Sequence, residues 1–227
     1  VVYLPIILSS MLFNYVIGNT LSKDTKTKKS FNKKSILSFG IIANLSLLGY
    51  FKYADFFIEN FNLITGTNYN LLHLLLPLAI SFFTFQQIAY LVDSYRNETK
   101  EYDFLNYALF VTFFPQLIAG PIVHHKEMMP QFTSRWNMVK NYKNIALGLF
   151  IFSIGLFKKV VIADNCAIYA DLIFNNSADY SGSTLLLGVF LFAFQIYGDF
   201  SGYSDIAIGT ARLFGFNLTQ NFATPFF

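Results

Sequence analysis

Three charged residues and two serines lie in one apolar stretch near the end of the chain, GDFSGYSDIAIGTARLFGF at residues 198–216. If this stretch is helical, Ser201, Asp205 and Arg212 fall within an arc of roughly 40° at 100° per residue, whereas Asp199 lies off that stripe. Each charge costs at least about 2.5 kcal/mol in hydrocarbon, so the stripe must face protein or water. Two interpretations stay open: a structural ion pair that joins two helices, or the wall of a substrate tunnel.

The same stretch lacks the signature of a serine hydrolase. Ser201 lies in Gly-Asp-Phe-Ser-Gly, which is not the Gly-x-Ser-x-Gly elbow, and no histidine is near it in the sequence. Gly198 and Gly202 are spaced as a small-xxx-small pair, and Gly209 continues that face. This spacing predicts that another helix approaches closely.

A second group of polar residues follows a break in an apolar segment, FFPQLIAGPIVHHKEMMPQF at residues 113–132. Pro115, Gly120 and Pro121 interrupt the segment, and Gln116 lies beside the break. A broken helix at membrane depth frees backbone amides and carbonyls, which is tolerated where protein or water meets them. The pattern predicts a broken or re-entrant segment near residues 113–123.

The three histidines do not form an evident catalytic or metal site. His124 and His125 are adjacent, so their rings point to different faces and do not chelate one metal together, and we expect no metal site. Each is either a solvated or capping residue, or a general base or substrate contact. His73 lies in LLHLLLPLAI and is expected to hydrogen-bond a neighbouring helix, and the single cysteine, Cys166, excludes an intrachain disulfide.

Composition places these residues in a polytopic, all-α membrane protein. Of 227 residues, 54% are hydrophobic and 13% are charged, against about 25% charged in a soluble domain. The small net charge of +3 does not indicate a nucleic-acid partner. The predicted apolar segments are residues 1–21, 35–51, 71–92, 104–123, 145–163 and 183–216, with interfacial or loop segments at 52–70 and 164–182.

Charge bias predicts the orientation of these segments. The loop 22–34 carries six lysines against one aspartate, which places it in the cytoplasm. The loop 164–182 has three aspartates and neither lysine nor arginine, which suits the outer side. Between these segments, Lys158 and Lys159 must snorkel to an interface or face a wet interior.

Four ordered stretches resemble one family, the membrane-bound O-acyltransferases, in its bacterial branch of alginate O-acetylation and teichoic acid D-alanyl transfer proteins. They are SFFTFQQIAYLVDSYR at 81–96, FFPQLIAGPIVHHKEMMPQF at 113–132, GLFKKVVIADN at 155–165, and YGDFSGYSDIAIGTARLFGFNLTQNFATPFF at 197–227. The resemblance implies a multi-helix ring or funnel around a tunnel in the bacterial cell (inner) membrane.

The resemblance also implies a reaction and its participants. An acyl group, acetyl in the first instance, would move from an inner donor, acetyl-CoA or an acyl carrier, to hydroxyls of an extracytoplasmic polysaccharide such as alginate. The catalytic histidine of the family is expected beyond Phe227, so none of the histidines here is assigned that role. The residues expected to line the tunnel or contact substrate are Gln116, His124, His125, Ser201, Asp205 and Arg212.

The chain is expected to be a partial acyltransferase domain, residues 1–227, that lacks both ends and is inactive alone. Its expected partners are the lipid bilayer, the acyl donor, the polysaccharide acceptor and a periplasmic or extracellular transferase, with no bound cofactor. Two other functions stay open: a transporter or channel, for which a broken helix and intramembrane charges are suited, and a non-catalytic scaffold for a separate transferase.

Overall fold

The computed structural model describes residues 3–23, 33–77, 79–99, 103–117, 120–121, 123–134, 137 and 139–222. Within these ranges every regular element is helical, which confirms the all-α class. The α-helices are α1 (Leu4–Ser22), α2 (Lys33–Thr65), α3 (Ile80–Tyr95), α4 (Phe104–Thr112), α5 (His125–Phe132), α6 (Tyr142–Phe157), α7 (Asp164–Asn175) and α8 (Gly182–Leu213). A π-helical segment, Lys158–Ala163, joins α6 to α7, and 3₁₀ turns lie at Phe114–Gln116 and Ser177–Asp179.

Four of these helices are long and apolar enough to cross a membrane. They are α1, α2, the continuous helix Tyr142–Asn175 and α8. Large apolar side chains on their outer faces, such as Ile42, Phe150 and Phe190, are more than half exposed. A soluble protein does not present so much contiguous apolar surface, so these faces are suited to lipid. The protein is therefore a polytopic membrane protein, as its composition predicts.

The chain divides into two compact units, residues 1–113 with 124–130, and residues 114–123 with 131–227. In unit 1, α3 packs against α1, α2 and α4. Its core contains the fully buried rings of Tyr90, Tyr107 and Phe110. Gly18 of α1 leaves the space that the Tyr90 ring occupies, since a Cβ there would overlap the ring.

Buried amides join three helices of unit 1. Asn14 of α1 and Asn44 of α2 exchange side-chain hydrogen bonds at 2.7 and 3.0 Å, and Asn14 Nδ2 donates to Gln87 Oε1 of α3 at 2.7 Å. The Tyr107 hydroxyl of α4 also donates to Gln87 Oε1, at 3.4 Å. Lipid supplies no hydrogen-bond partner and little hydrophobic force between helices, so uncharged polar contacts of this kind hold helices in register.

In unit 2, the long helix α6–π–α7 packs against α8 along its whole length. The helix contains 34 residues, which corresponds to about 50 Å at 1.5 Å per residue. The turn between the two long helices comprises residues 176–181, where the Ser181 side chain accepts from the Thr184 amide at the start of α8. Ser181 is thus an N-cap of the usual type.

Two helices extend farther than the sequence predicts. The segments 52–65 and 164–175 were expected at an interface and in an outer loop, but both are helical. Neither contains a glycine or proline that would end a helix. Gly66, with φ of 68°, ends α2 in the left-handed conformation that glycine adopts without strain.

One predicted span is shorter than expected, because α3 begins at Ile80 and not at Leu71. Pro77 has no amide hydrogen and disfavours helical backbone at the residue before it, so a helix does not pass through this point. Ala79 at the N-cap has φ of 60°. His73, with a left-handed φ of 46°, therefore lies in irregular chain before α3.

The predicted break in the segment 104–123 is present. α4 ends at Thr112, Phe113 is extended, and the 3₁₀ turn Phe114–Gln116 follows. The Gln86 side chain of α3 donates to the carbonyl oxygen of Phe110 at 3.0 Å. That carbonyl lies in the last turn of α4, so Gln86 supplies a partner for a group that the break leaves free.

Candidate functional site

The stripe of polar residues on α8 faces a lysine of the neighbouring helix. Lys158 Nζ donates to Asp205 Oδ2 at 2.6 Å and to Ser201 Oγ at 2.9 Å. Ser201 is fully buried, and the side chains of Lys158 and Asp205 are 25% and 15% exposed. The ionic partner of Asp205 is thus Lys158 on the opposite helix. The sequence of α8 alone does not contain this partner.

The next lysine forms a second ionic cluster. Lys159 Nζ contacts Asp199 Oδ1 at 2.7 Å and Asp164 Oδ1 at 2.5 Å. Asp199, which lies off the stripe, therefore belongs to a separate cluster with its own cation. Both lysines belong to the π-helical segment, and a π-helical turn inside an α-helix often marks a functional site.

Both clusters lie far from the ends of the helix that carries the lysines. Lys158 is near the middle of Tyr142–Asn175, about 25 Å from either end at 1.5 Å per residue. Both lysines pair with carboxylates inside the protein, so each charge has a partner at this position in the helix.

The stripe borders a cavity of about 360 Å³ within unit 2. Lys158, Asp205 and Arg212 line it on the polar side, and its remaining lining is mainly apolar. The apolar part consists of Ile151, Ile154, Ile208, Leu218 and Phe222, with Gln220 beside them. Two cations and one carboxylate leave this cavity with an excess positive charge.

Arg212 contributes that excess charge. Its Nη1 donates to Asn144 Oδ1 of α6 at 3.4 Å, a long hydrogen bond, and its Nε is buried without a partner among the described residues. Arg212 lies in the last turn of α8, where the helix dipole stabilises a cation. A guanidinium with a buried unused donor beside a cavity is suited to bind an anion or a developing negative charge.

Glycines bring α6 and α8 into backbone contact around this cavity. A Cβ added at Gly155 would lie 2.6 Å from the Gly202 carbonyl oxygen, and one at Gly148 would lie 2.8 Å from that of Gly209. The close approach predicted for Gly202 and Gly209 is confirmed. Their partners on α6 were not predicted, although Gly148 and Gly155 show the same seven-residue spacing.

The tandem histidines belong to unit 1 and bind separate partners. His124 Nδ1 lies 2.8 Å from Asp93 Oδ2, with the carboxylate buried and the imidazole half-exposed. His125 is buried, and its Nδ1 lies within hydrogen-bond distance of Thr99 Oγ1. The rings therefore point to different neighbours, as expected, and Asp93 orients His124 through Nδ1, which leaves Nε2 toward solvent.

An ion pair on the surface extends this cluster. Lys126 Nζ donates to Glu98 Oε2 at 2.6 Å. The hydrogen bond from Lys126 lowers the pKa of Glu98, and the bond to Glu98 raises the pKa of Lys126. The consecutive residues 124–126 thus all bind the segment 93–99, which comprises the last turn of α3 and the residues directly after it.

The remaining predicted residues are not among those that line the cavity. Gln116 is buried in the 3₁₀ turn of unit 2. His73 does not place its ring in a helix interface: the side chain is 80% exposed, and Asp55 of α2 accepts instead from the backbone amides of Leu72 and His73. Among the residues that the structure describes, no three His, Cys, Asp or Glu side chains converge as metal ligands.

Two contacts were missed because their partners are distant in sequence. Asn144 binds Arg212 across 68 residues, and Lys158 binds Asp205 across 47. The available signal was an asparagine one turn into an apolar helix, a residue that requires a polar partner there. The same signal was present at Asn14 and Asn44 of unit 1.

Comparison with known proteins identifies the family. The model of the membrane-bound O-acyltransferase family matches residues 91–226, more than half of the chain. The match includes the break after α4, both lysine clusters and the whole of α8. Unit 2 thus lies almost entirely within the matched region.

Individual relatives are named as transferases of acetyl or D-alanyl groups. A peptidoglycan O-acetyltransferase of Helicobacter pylori is 50% identical in an alignment 249 positions long, which covers 99% of this chain and 47% of the relative. A probable alginate O-acetylase of Pseudomonas aeruginosa is 39% identical over 95% of this chain and 41% of its own length. A teichoic acid D-alanyltransferase of Bacillus subtilis is 27% identical over 66% of this chain and 38% of its own length.

The chain spans about half the length of the curated relatives it matches. The family model, the spanning helices and the ordered stretches of sequence agree along that half. This chain, a bacterial membrane protein, belongs to the membrane-bound O-acyltransferase family.

Proposed function

We propose that the full-length protein transfers an acetyl group to hydroxyls of a cell-envelope glycan, with peptidoglycan as the principal acceptor. The family and the names of the relatives support an O-acyltransferase. The order of acceptors follows identity, because the peptidoglycan O-acetyltransferase is 50% identical and the probable alginate O-acetylase is 39% identical.

The observation that carries this proposal is the cavity lined by Lys158, Asp205 and Arg212 in a helix pair long enough to span a membrane. Acyl transfer from a thioester joins the acceptor oxygen to the acyl carbon and breaks the carbon–sulfur bond. The hydroxyl proton passes to a base, and the thiol leaves. Negative charge develops on the acyl oxygen, and a preorganised cation in a poorly hydrated site stabilises it.

Each residue of the cavity has a part in this proposal. Arg212 supplies the excess positive charge that faces the acyl path. Lys158 holds Asp205 and Ser201 in place, so the wall keeps its shape when substrate enters. The base is the family histidine that the resemblance implies outside residues 1–227, and Gln116, His124 and His125 are proposed as further tunnel or substrate contacts.

The proposal also includes the shape expected from the resemblance. The helices would form a ring or funnel around a tunnel, and the break at Phe113 would mark a re-entrant segment that dips into the membrane and returns. A periplasmic transferase partner would complete the delivery of the acetyl group to the glycan.

Expression of the full-length protein together with its periplasmic transferase partner, in a host that lacks envelope O-acetylation, tests the proposal. We expect base-labile acetate to appear on isolated peptidoglycan, measured after mild alkaline release, and the empty vector serves as the control. Parallel analysis of alginate in a producing host distinguishes the acceptor. An envelope without new esters, from cells in which the protein is folded and inserted, would overturn the acetyltransferase proposal and leave the transporter and scaffold alternatives.

A further inference from the structure

Unit 2 has a second and larger cavity, of about 720 Å³, between the start of α6 and the end of α8. Lys140 and Lys143 are its charged lining residues, and within the described part of the chain no aspartate or glutamate lines it. Its apolar lining includes Val139, Tyr142 and Phe214. The cavity therefore combines two cations with an apolar wall.

These two lysines are not neutralised by carboxylates. Both are exposed, and in the described ranges neither ammonium lies within ion-pair distance of an acidic side chain. By contrast, Lys126, Lys158 and Lys159 each contact an aspartate or glutamate. The positive charge at this cavity is thus available to a ligand.

The ends of the two helices add little to this charge. The Asn141 side chain accepts from the amides of Lys143 and Asn144, so part of the α6 N-terminus is already capped. The C-terminus of α8 carries the negative end of the helix dipole, which does not attract an anion. The positive charge of Arg212 in the last turn offsets this negative end. The lysine side chains, and not free helix amides, are the anion-binding groups.

Charge is sorted between the two ends of the helix pair. Lys140, Lys143 and Arg212 lie at the end where the large cavity opens, whereas Asp171 and Asp179 lie near the opposite turn. The excess of lysine and arginine places the first end in the cytoplasm. There it meets phosphorylated metabolites and the phosphate groups of inner-leaflet lipids.

We propose that this cavity binds a phosphate group of an amphipathic ligand, with Lys140 and Lys143 on the phosphate and the Val139–Tyr142 wall against its apolar part. Asn144 lines this cavity, Arg212 lines the smaller one, and a hydrogen bond between the two residues joins one lining residue of each cavity. A ligand anchored here by phosphate can therefore present its other end toward the smaller cavity.

The phosphate has two possible sources, a soluble phosphorylated thioester donor or an anionic phospholipid. The first source rests on the proposed function, because it makes the ligand the acyl donor. The second does not. Phosphate binding at the two lysines is common to both.

Calorimetry on the full-length protein in phosphatidylcholine nanodiscs tests the soluble source, with coenzyme A as the probe. We expect the double variant Lys140→Gln, Lys143→Gln to weaken binding about tenfold, as removal of two partly screened ion pairs implies. Added salt should weaken the native interaction and leave the variant almost unaffected. Lys52→Gln, at an exposed lysine of α2, is the matched control and should bind as the native protein does.

Two further measurements define the ligand and its location. Val139→Trp fills the cavity from an exposed position, so it should weaken binding while both lysines remain. Pantetheine, which has the thiol arm without phosphate, should bind weakly to every variant. For the lipid source, purified protein should retain phosphatidylglycerol over phosphatidylcholine, and the double lysine variant should lose that enrichment.

The outcomes separate this proposal from the proposed function. Lysine-dependent binding of either probe supports the site, even if no glycan becomes acetylated, in which case the proposed function alone fails. If neither coenzyme A binding nor phosphatidylglycerol enrichment changes in the double lysine variant, the phosphate site is wrong, whatever the activity of the protein.

Discussion

Lys158 and Asp205 each carry a charge at a depth where neither is stable alone. Their contact at 2.6 Å, together with the bond from Lys158 to Ser201, replaces the water that each group loses. A buried pair of this kind contributes little net stability against an apolar substitute, but the loss of one partner leaves the other charge without compensation. The cost of mutation therefore depends on whether one or both charges are removed.

A double-mutant cycle tests this dependence at the residue scale. We expect Lys158→Met and Asp205→Leu each to lower the free energy of unfolding by about 2 kcal/mol, because each strands a poorly solvated charge. The combined variant should recover most of that loss. Unfolding of the purified protein in a detergent series measures the effect.

Ser201→Ala is the control for the neutral member of this cluster. It removes one hydrogen bond to Lys158 and leaves the ion pair intact, so a loss of about 1 kcal/mol is expected. Additive losses in the Lys158 and Asp205 cycle would mean that the two charges do not stabilise one another.

At the scale of elements, the antiparallel pair α6 and α8 is set by two glycine pairs. Gly148 faces Gly209 and Gly155 faces Gly202, so the seven-residue spacing on one helix matches that on the other. Backbone atoms then approach closely enough for dispersion and weak contacts to act along the interface, which is the main source of helix association in lipid.

Gly155→Ala should separate the two helices. The added Cβ would lie 2.6 Å from the Gly202 carbonyl oxygen and 2.7 Å from the Ile206 amide nitrogen, and backbone does not yield as a flexible side chain does. We expect a loss of 2 kcal/mol or more, roughly the cost of overpacking, measured as a lower unfolding midpoint in detergent.

Gly49→Ala is the matched control. Gly49 lies inside α2, and a Cβ there would meet no atom within 4 Å. Since alanine is the better helix former by about 1 kcal/mol, this variant should be neutral or slightly more stable. Equal losses at both positions would show that the change reports glycine flexibility and not close packing.

Local sequence predicts helices and their faces better than it predicts partners. The stripe of Ser201, Asp205 and Arg212, the close face of Gly202 and the break near Pro115 follow from spacing along one segment. The length of α7 was missed because Asp164 has the character of a loop residue. Its carboxylate is compensated by Lys159, and the further link of that lysine to Asp199 requires the tertiary fold.

At the scale of the whole molecule, orientation in the membrane is the property on which both proposals depend. Among the residues that the structure describes, the cations of this helix pair without a carboxylate partner lie at one end, and the aspartates without a cation partner lie at the other. If the basic end is cytoplasmic, the large cavity opens toward the donor, and the turn at residues 176–181 lies outside.

Cysteine labelling determines this orientation. Cys166→Ser removes the single native cysteine, and single cysteines are then placed at Tyr142 or Asp179, both exposed and at opposite ends. A membrane-impermeant maleimide should label Asp179→Cys in intact spheroplasts and Tyr142→Cys after permeabilisation alone. The opposite pattern would place the lysine cavity outside and remove the basis for a cytoplasmic phosphate ligand.

The glycine pairs have one more consequence, which concerns how the protein tolerates sequence change. At these four positions the wall between the helices is made of main-chain atoms, so no substitution can take atoms away from it. A survey that trims side chains to alanine cannot test these four positions, because there is no side chain to remove. Sequence change at the four glycines is therefore constrained in one direction: nothing can be taken away, and the smallest added group, a methyl, meets the backbone of the other helix.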